Sequence, residues 1–97
     1  MTDDEAPRAI HAIVRGRVQN VCFRAFVQEK ATALGLIGFV QNRIDGTVEA
    51  VAEGSASAID AFCTWLREEG SPLSRVDEVV RVDRTPEGRY QGFTIRR

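Results

Sequence analysis

The sequence of 97 residues is 43% apolar, and its 13 basic and 14 acidic side chains leave a formal charge of -1 at pH 7. This length predicts one compact domain with its own core and leaves no room for a second. The near-neutral charge argues against a protein whose main task is to bind DNA or an anionic membrane, because such proteins carry a basic excess.

The cysteines and the N-terminal segment indicate the compartment. Cys22 and Cys63 lie far apart and match no metal-binding or redox spacing, which favours two free thiols. The first residues, ending at Pro7, are acidic and lack the apolar core of a signal peptide, and no stretch is long enough to span a bilayer. We therefore expect a cytoplasmic protein, with a disordered tail over residues 1–7 and a single domain over residues 8–97. Separately, we expect it to be a monomer.

A strand followed by a helix is predicted near the N-terminus. Apolar residues alternate with others over Arg8–Arg15, which is typical of a strand with one buried face. Gly16–Cys22 breaks this alternation and is predicted to form a loop. From Phe23 the apolar residues recur at helical spacing as far as Leu34, and Gly35 supplies a natural C-terminal stop.

The next segment predicts a β-hairpin. Leu36–Val40 is a short apolar run typical of a buried strand, and Thr47–Glu53 alternates polar and apolar residues. Between them, Asn42–Gly46 contains the Asp-Gly pair that favours a tight turn. The two strands are therefore predicted to pair with each other.

A second helix is predicted after this hairpin. Ser55 or Ser57 can cap its N-terminus, and Ser57 with Asp60 approximates a capping box. Gly70 marks its end. The apolar stripe of this helix consists of Ile59, Phe62, Cys63 and Leu66.

Two further strands complete the predicted order. They are Arg75–Arg84 and the short Phe93–Arg96, joined by a loop over Thr85–Gln91. The order is β-α-β-β-α-β with a small extra strand at the end. Two right-handed crossovers place both helices on one face of a mostly antiparallel sheet, which predicts a ferredoxin-like α/β sandwich of the α+β class. Because this architecture serves many functions, it assigns none by itself.

The segment Gly16–Arg24 is the most informative for function. A loop that leads into a helix presents unpaired backbone N–H groups and the positive end of the helix dipole, which together favour an anion. Arg24 places a cation in the first turn, where the dipole disfavours it by roughly 0.3–1 kcal/mol. No Ser, Thr or Asp directly precedes Phe23, although Asn20 could cap the helix. A bound phosphate would compensate for both features.

From these patterns alone, several residues keep a simpler interpretation. Arg24 and Arg17 also fit solvated surface arginines, and Asn42 also fits an ordinary turn residue. His11, in the middle of a strand, is expected to be structural or half-exposed, and Cys22 is expected to be filler rather than an activated thiol. No cluster of His, Cys or carboxylate residues has the spacing of metal ligands, so no metal site is predicted.

Two segments of the chain resemble the signatures of a known family. Gly16–Arg24, GRVQNVCFR, resembles the first signature of the acylphosphatases, G-R-V-Q-G-V-x-F-R. Gly38–Asn42, GFVQN, followed by Asp45–Glu49, DGTVE, resembles their second signature. Both segments occur in the expected order and at the expected separation, and the similarity runs from about Ile10 to the C-terminus.

The resemblance implies an activity and a role for each site residue. It implies hydrolysis of acyl phosphates, which are carboxyl-phosphate anhydrides, to a carboxylate and inorganic phosphate, with no cofactor. No nucleic acid or membrane is expected as a partner, on the ground of the near-neutral charge. Arg24 is implied to bind the phosphate, and Asn42 to position the attacking water. The implied phosphate-binding loop consists of Gly16, Arg17, Val18, Gln19, Asn20, Val21, Cys22 and Phe23.

One position departs from the family pattern. Asn20 stands where the family usually has glycine. If this position needs a positive φ, asparagine is the least costly residue other than glycine, although it is still strained there. The geometry of the loop therefore depends on the backbone conformation at Asn20.

Two other functions fit the same fold. An RNA-binding module of this architecture needs exposed aromatic residues on its central strands, and Arg8–Arg15 and Thr47–Glu53 contain none. A non-catalytic module that binds phosphate or another small anion could use the same loop. The sequence separates this second alternative from an enzyme only through Asn42, which a simple binder would not need.

Overall fold

The protein is described by a computed structural model over residues 6–19 and 22–96. Its described elements are β1 (Arg8–Arg17), α1 (Phe23–Ala33), β2 (Ile37–Asn42), β3 (Val48–Gly54), α2 (Ala56–Glu68), β4 (Arg75–Arg84) and β5 (Phe93–Arg96). The predicted β-α-β-β-α-β order with a short extra strand is confirmed. Residues 1–5 of the expected tail lie outside the described residues, so the tail stays a prediction.

The strands form one five-stranded sheet in the order β4-β1-β3-β2-β5. β1 and β2 both pair antiparallel with β3, and β5 pairs parallel with β2. β1, β2 and β5 therefore run in the same direction and end at the same edge of the sheet. The register places Val48 of β3 opposite Val14 on one side and opposite Asn42 on the other. Asn42 thus lies at the edge from which the chain leaves β1 to begin α1.

Both helices cover one face of the sheet, as the helical apolar stripes predict. The buried helical residues are Phe23, Val27 and Ala31 of α1 and Ile59, Phe62, Cys63, Trp65 and Leu66 of α2. Trp65 stacks on Phe23 with ring centroids 6.4 Å apart, so the first residue of α1 is held against α2. No helix in the described part of the chain is long and apolar enough to cross a membrane.

The ends of both helices follow from local sequence. The Ser55 side chain accepts a hydrogen bond from the Ala58 amide at 3.2 Å and caps α2, so of the two proposed caps Ser55 is correct. Ser57 lies inside α2, and the proposed capping box with Asp60 is therefore wrong. Gly35 follows α1 with a φ of 75°, which is the left-handed stop that its position predicts.

The predicted end of the first strand is wrong, because β1 continues to Arg17. Its register with β4 shifts between Arg15 and Gly16, where a bulge lets Gly16 pair with Val76. Gly16 has a φ of 134°, and a Cβ placed there would lie 2.1 Å from the carbonyl oxygen of Arg75. The bulge interrupts the alternation of side chains, so the sequence pattern ends before the strand does. Gly16 and Arg17 therefore belong to β1 and not to the loop.

Both strands of the hairpin lie slightly further toward the C-terminus than the sequence pattern predicts. β2 spans Ile37–Asn42 and β3 spans Val48–Gly54, whereas the sequence pattern suggested Leu36–Val40 and Thr47–Glu53. Asn42 is consequently the last residue of β2 and is held by the ladder with β3. A residue in a ladder is held more rigidly than one in a turn, so the backbone of Asn42 is fixed by its pairing with β3.

Candidate active site

A cleft of about 400 Å³ lies where the N-terminus of α1 meets the ends of β2 and β5. Its lining residues are Val18, Cys22, Phe23, Arg24, Ala25, Asn42 and Ile95. The cleft brings together Arg24 and Asn42, the two side chains for which the sequence analysis proposes a role. They meet because β1 and β2 end at the same edge of the sheet and α1 starts there.

Arg24 is a half-buried cation on the wall of this cleft. Its Nη1 donates a hydrogen bond to the carbonyl oxygen of Arg96 at 3.3 Å, which ties α1 to β5. No carboxylate among the described residues forms an ion pair with it. The first turn of α1, Phe-Arg-Ala-Phe, also contains no acidic side chain. The positive charge of Arg24 therefore adds to that of the helix terminus, and both favour an anion in the cleft.

The first turn of α1 adds backbone donors beside Arg24. The helix begins at Phe23, and Phe26 is the residue whose amide donates to the carbonyl of the N-cap, Cys22, at 3.3 Å. The N–H groups of residues 23–25 consequently have no acceptor within the helix. Since the same three residues line the cleft, their N–H groups are available to an anion bound there.

Asn42 lines the same cleft and carries an unsatisfied acceptor. Its Oδ1 atom is buried and accepts no hydrogen bond from any described residue. A buried acceptor without a partner costs roughly 1–3 kcal/mol, and such groups are rare in folded proteins. A water molecule or a ligand donor in the cleft would satisfy this oxygen. The part of the cleft next to Asn42 is thus suited to hold a donor rather than an anion.

The loop residues between β1 and α1 occupy different places. Val18 is buried in the core and lines the cleft together with Cys22. Gln19 turns its side chain to the β2–β3 hairpin, where its Nε2 donates to two carbonyl oxygens. Asn20 and Val21 lie outside the described residues, so the conditional left-handed conformation of Asn20 stays a prediction.

A left-handed residue is nevertheless present at the end of this loop. Cys22 has a φ of 60° and a ψ of 19°. Among the described residues other than glycine, it alone has a positive φ. Its side chain makes no capping hydrogen bond within the described chain. The strained position was missed because cysteine carries no signal for a left-handed conformation, unlike glycine or asparagine.

This conformation predicts the response to substitution at Cys22. Cys22→Gly removes a strain of about 1–2 kcal/mol, while the more flexible unfolded chain offsets about 0.4–1 kcal/mol of that gain. We expect Cys22→Gly to be equally or more stable, and Cys22→Val to be less stable by about 1 kcal/mol or more, because β-branched residues tolerate a positive φ badly. Urea unfolding of both variants, with Cys22→Ser as a size-matched control, measures the difference. Equal stability of Cys22→Val and the parent would contradict the left-handed assignment.

His11 takes part in a polar network on the open face of the sheet. Its Nε2 lies 2.5 Å from Oε2 of Glu49, and Oε1 of Glu49 accepts a hydrogen bond from Nε2 of Gln41 at 2.6 Å. Burial by itself would raise the pKa of Glu49, but the hydrogen bonds from His11 and Gln41 outweigh it, so that this pKa is lowered. His11 does not line the cleft, in agreement with the structural interpretation.

The two cysteines differ in environment. Both are free thiols; Cys22 is exposed beside the cleft, and Cys63 is buried beneath the sheet, where burial raises the pKa of its thiol. Across residues 6–19 and 22–96, no group of three or more His, Cys, Asp or Glu side chains lies close enough together to hold a metal ion.

Comparison with known proteins identifies the family. A family model described as acylphosphatase matches residues 10–95. A protein of Rhizorhabdus wittichii named acylphosphatase is 50% identical over 91 residues, which are 94% of this chain and 88% of that protein. The crystal structure of acylphosphatase from Bacillus subtilis has a TM-score of 0.88 and 38% identity and covers 93% of this chain and 99% of its own. An acylphosphatase structure from Coxiella burnetii has a TM-score of 0.88 and 39% identity, with coverages of 99% and 100%. The chain therefore belongs to the acylphosphatase family and hydrolyses acyl phosphates, as its two signature segments and the geometry of its cleft lead one to expect.

Proposed function

We propose that the hydrolysis proceeds by in-line attack of water on the bound phosphoryl group, with Arg24 and Asn42 as the catalytic residues. The observation that carries the proposal is the composition of the cleft. Arg24, a cation without a carboxylate partner among the described residues, lines the cleft, and so does Asn42, whose Oδ1 is buried without a donor from those residues. These two groups match the two reactants, an anionic phosphoryl group and a neutral water molecule.

Arg24 and the start of α1 would bind the phosphoryl group. A guanidinium can donate two parallel hydrogen bonds to two phosphate oxygens, and the helix N-terminus supplies further backbone donors. We include the backbone of Gly16–Phe23 in this site, because its described residues Val18, Cys22 and Phe23 line the cleft. These donors stabilise the charge on the phosphoryl oxygens during transfer.

Asn42 would orient the attacking water. The water donates one hydrogen to Oδ1 of Asn42 and directs a lone pair at phosphorus, at a near-attack distance of about 3–3.5 Å. As the new P–O bond forms, the bond from phosphorus to the carboxyl oxygen breaks, and its electron pair leaves with the carboxylate. The proton lost by the water passes to the phosphate product or to solvent.

The leaving group explains why so few side chains suffice. The conjugate acid of a carboxylate has a pKa of about 4, so the carboxylate departs without receiving a proton. Phosphoryl transfer then asks the protein mainly for positioning and charge stabilisation. An alkoxide leaving group from a phosphate monoester would need an acid or a metal in addition. We propose on this chemical ground that the reaction is metal-independent and selective for acyl phosphates over monoesters.

The alternative of a non-catalytic anion-binding module is disfavoured by Asn42. An acceptor oxygen that faces an anion directly is repelled by it, so a site built only to bind phosphate gains nothing from Oδ1 of Asn42. The same oxygen is useful when a water molecule lies between it and phosphorus. The named relatives are acylphosphatases, which also favours the enzyme.

We further propose that the protein acts as a monomer in the cytoplasm. The free thiols of Cys22 and Cys63 support a reducing compartment, where disulfides are rare. Sedimentation of the purified protein at several concentrations tests the monomer, and a dimer at low micromolar concentration would contradict it.

Metal and thiol independence are tested together with benzoyl phosphate as substrate. We expect hydrolysis to survive excess EDTA and to survive the double substitution Cys22→Ser and Cys63→Ala, because neither a metal nor a thiol enters the proposed reaction. Alanine is chosen at Cys63 because a serine hydroxyl there would be buried in the core. Loss of activity under EDTA that added Mg²⁺ or Zn²⁺ restores would contradict the mechanism. Loss of kcat in a folded double variant would contradict thiol independence.

A further inference from the structure

We propose that Gln19 is a positioning residue, whose side-chain amide clamps the phosphate loop to the β2–β3 hairpin and so sets the distance between the bound phosphoryl group and the attacking water. We call this pair of hydrogen bonds the Gln19 clamp. The inference rests on the proposed roles of Arg24 and Asn42 and adds a residue that acts through them.

The Gln19 clamp consists of two hydrogen bonds from one nitrogen atom. Nε2 of Gln19 donates to the carbonyl oxygen of Arg43 and to that of Thr47, each at 2.9 Å. The amide of Arg43 also donates to the carbonyl of Thr47 at 2.9 Å, so both acceptors belong to the closing pair of the hairpin. Arg43 directly follows Asn42, and the clamp therefore holds the backbone one peptide away from the residue that orients the water.

The hairpin side of the clamp is itself rigid. The Asp45 carboxylate accepts hydrogen bonds from the backbone amide of Thr47 at 3.0 Å and from its hydroxyl at 2.6 Å, and these bonds lower the pKa of Asp45. Thr47 is buried, and Val48 pairs with Asn42 in the ladder between β2 and β3. A loop fastened to this turn is thus fastened to a defined position relative to Asn42.

The topology explains why such a link is needed. β1 and β2 are not neighbours in the sheet, because β3 lies between them. The loop leaves the sheet after Arg17, and no other side chain from its described part is hydrogen-bonded to the hairpin. Apart from the clamp, the loop and the strand that carries Asn42 are related through β3, through the packing of α1, and through hydrogen bonds from α1 to β5, the neighbour of β2.

The chemistry of the clamp requires a primary amide. Its nitrogen carries two hydrogens and points both at carbonyl oxygens, which use the full donor capacity of Gln19. A glutamate of the same size would place a carboxylate oxygen against the two carbonyl oxygens and push the loop away. Protonation of that glutamate would return one O–H donor. In Gln19→Glu the clamp should therefore be broken at neutral pH and partly restored at a pH low enough to protonate the glutamate.

The test compares Gln19→Ala with Gln28→Ala. Gln28 is a matched control, because its Nε2 also donates to a backbone carbonyl, that of Phe93 at 3.0 Å, but outside the clamp. We expect Gln19→Ala to lower kcat for benzoyl phosphate by about 10²-fold, since a displacement near 1 Å between reacting groups has about this effect. Inhibition by inorganic phosphate should weaken much less than kcat falls, because Arg24 and the amides of the first turn of α1 stay in place while only the loop backbone shifts. Gln28→Ala should keep kcat within about three-fold of the parent.

A merely structural Gln19 would give a different pattern. Urea unfolding of both variants reports how much stability each loses, and kcat is corrected for the folded fraction. If the corrected kcat of Gln19→Ala equals that of the parent, or if phosphate affinity falls as much as kcat, the clamp proposal is overturned. If Arg24→Ala and Asn42→Ala keep their activity, it is the proposed function that fails instead.

The pH profile of Gln19→Glu supplies a readout independent of folding. A free glutamate has a pKa of about 4.3, so the rate of Gln19→Glu relative to Gln19→Ala should rise as the pH falls through this range. At neutral pH, Gln19→Glu should be the slower of the two, because its charge repels the hairpin carbonyls. A constant ratio of the two rates across this pH range would overturn the role assigned to the amide.

Discussion

Arg24→Ala is expected to lower turnover of benzoyl phosphate by about 10³-fold or more, and inorganic phosphate should no longer inhibit at concentrations that inhibit the parent. The physical reason is that Arg24 supplies the side-chain charge of the anion site, and arginines that stabilise a transferring phosphoryl group have effects of this size. Steady-state kinetics with phosphate as the inhibitor measure both quantities. Retention of phosphate inhibition in Arg24→Ala would contradict its assignment to the phosphate.

Two control variants sharpen this result. Arg24→Lys keeps the charge but not the planar fork, so we expect it to recover less than about ten-fold of the lost activity. Arg67→Ala removes an exposed arginine from the last turn of α2, which does not line the cleft, and it should leave kcat unchanged. Equal losses in Arg24→Ala and Arg67→Ala would show that net charge, and not the position of Arg24, matters.

Arg24→Ala should lose its activity without a comparable change in its free energy of unfolding. The variant loses the 3.3 Å hydrogen bond to the Arg96 carbonyl, a bond of a class worth about 0.5–1.5 kcal/mol net. It also loses the unfavourable interaction of a cation with the helix N-terminus, which is roughly 0.3–1 kcal/mol. These contributions nearly cancel, so the free energy of unfolding should change by less than about 1 kcal/mol. A folded but inactive protein is the expected result.

Asn42→Ala is expected to lower kcat by about 10²–10³-fold while phosphate inhibition stays within about three-fold of the parent. Its Oδ1 would hold water and not phosphate, so its loss should affect only the transition state. Removal of a buried acceptor that no described residue satisfies should leave the protein as stable as the parent or more stable. Kinetics, phosphate inhibition and urea unfolding of the same preparation measure the three outcomes.

Asn42→Asp is the control for this division of labour. A carboxylate at this position keeps an acceptor for the water but places a negative charge on the wall of the anion cleft. We therefore expect Asn42→Asp to weaken phosphate inhibition as well as kcat, in contrast with Asn42→Ala. If Asn42→Ala and Arg24→Ala lose phosphate binding to the same extent, the separate roles of the two residues are wrong.

Much of the fold could be predicted from local patterns in the sequence. The helical stripe of α2 and the alternation in β3 reflect which face of each element is buried, and burial acts residue by residue along the chain. The end of β1 could not be predicted in this way. Its last residues are held by pairing with β4 through a bulge at Gly16, and that pairing joins distant segments. A pattern read along one strand carries no information about the bulge's partner.

The candidate site shows the same division. The signature segments identify Arg24 and Asn42 as site residues, and in the structure both line one cleft. The left-handed Cys22 and the Gln19 clamp were not predicted, because neither has a sequence signal. The acceptors of the clamp are backbone carbonyls, which every residue possesses, and only the folded positions of the loop and the hairpin select them.

The sequence by itself thus determined the order of the elements, the family and the identity of the two proposed catalytic side chains. These properties depend on residue type and spacing along the chain, which the sequence contains in full. The tertiary structure alone decided that Oδ1 of Asn42 is buried without a donor from the described residues and that Gln19 fastens the loop beside it. Both depend on contacts between segments that are far apart in the chain, and such contacts are set by the packing of the whole domain.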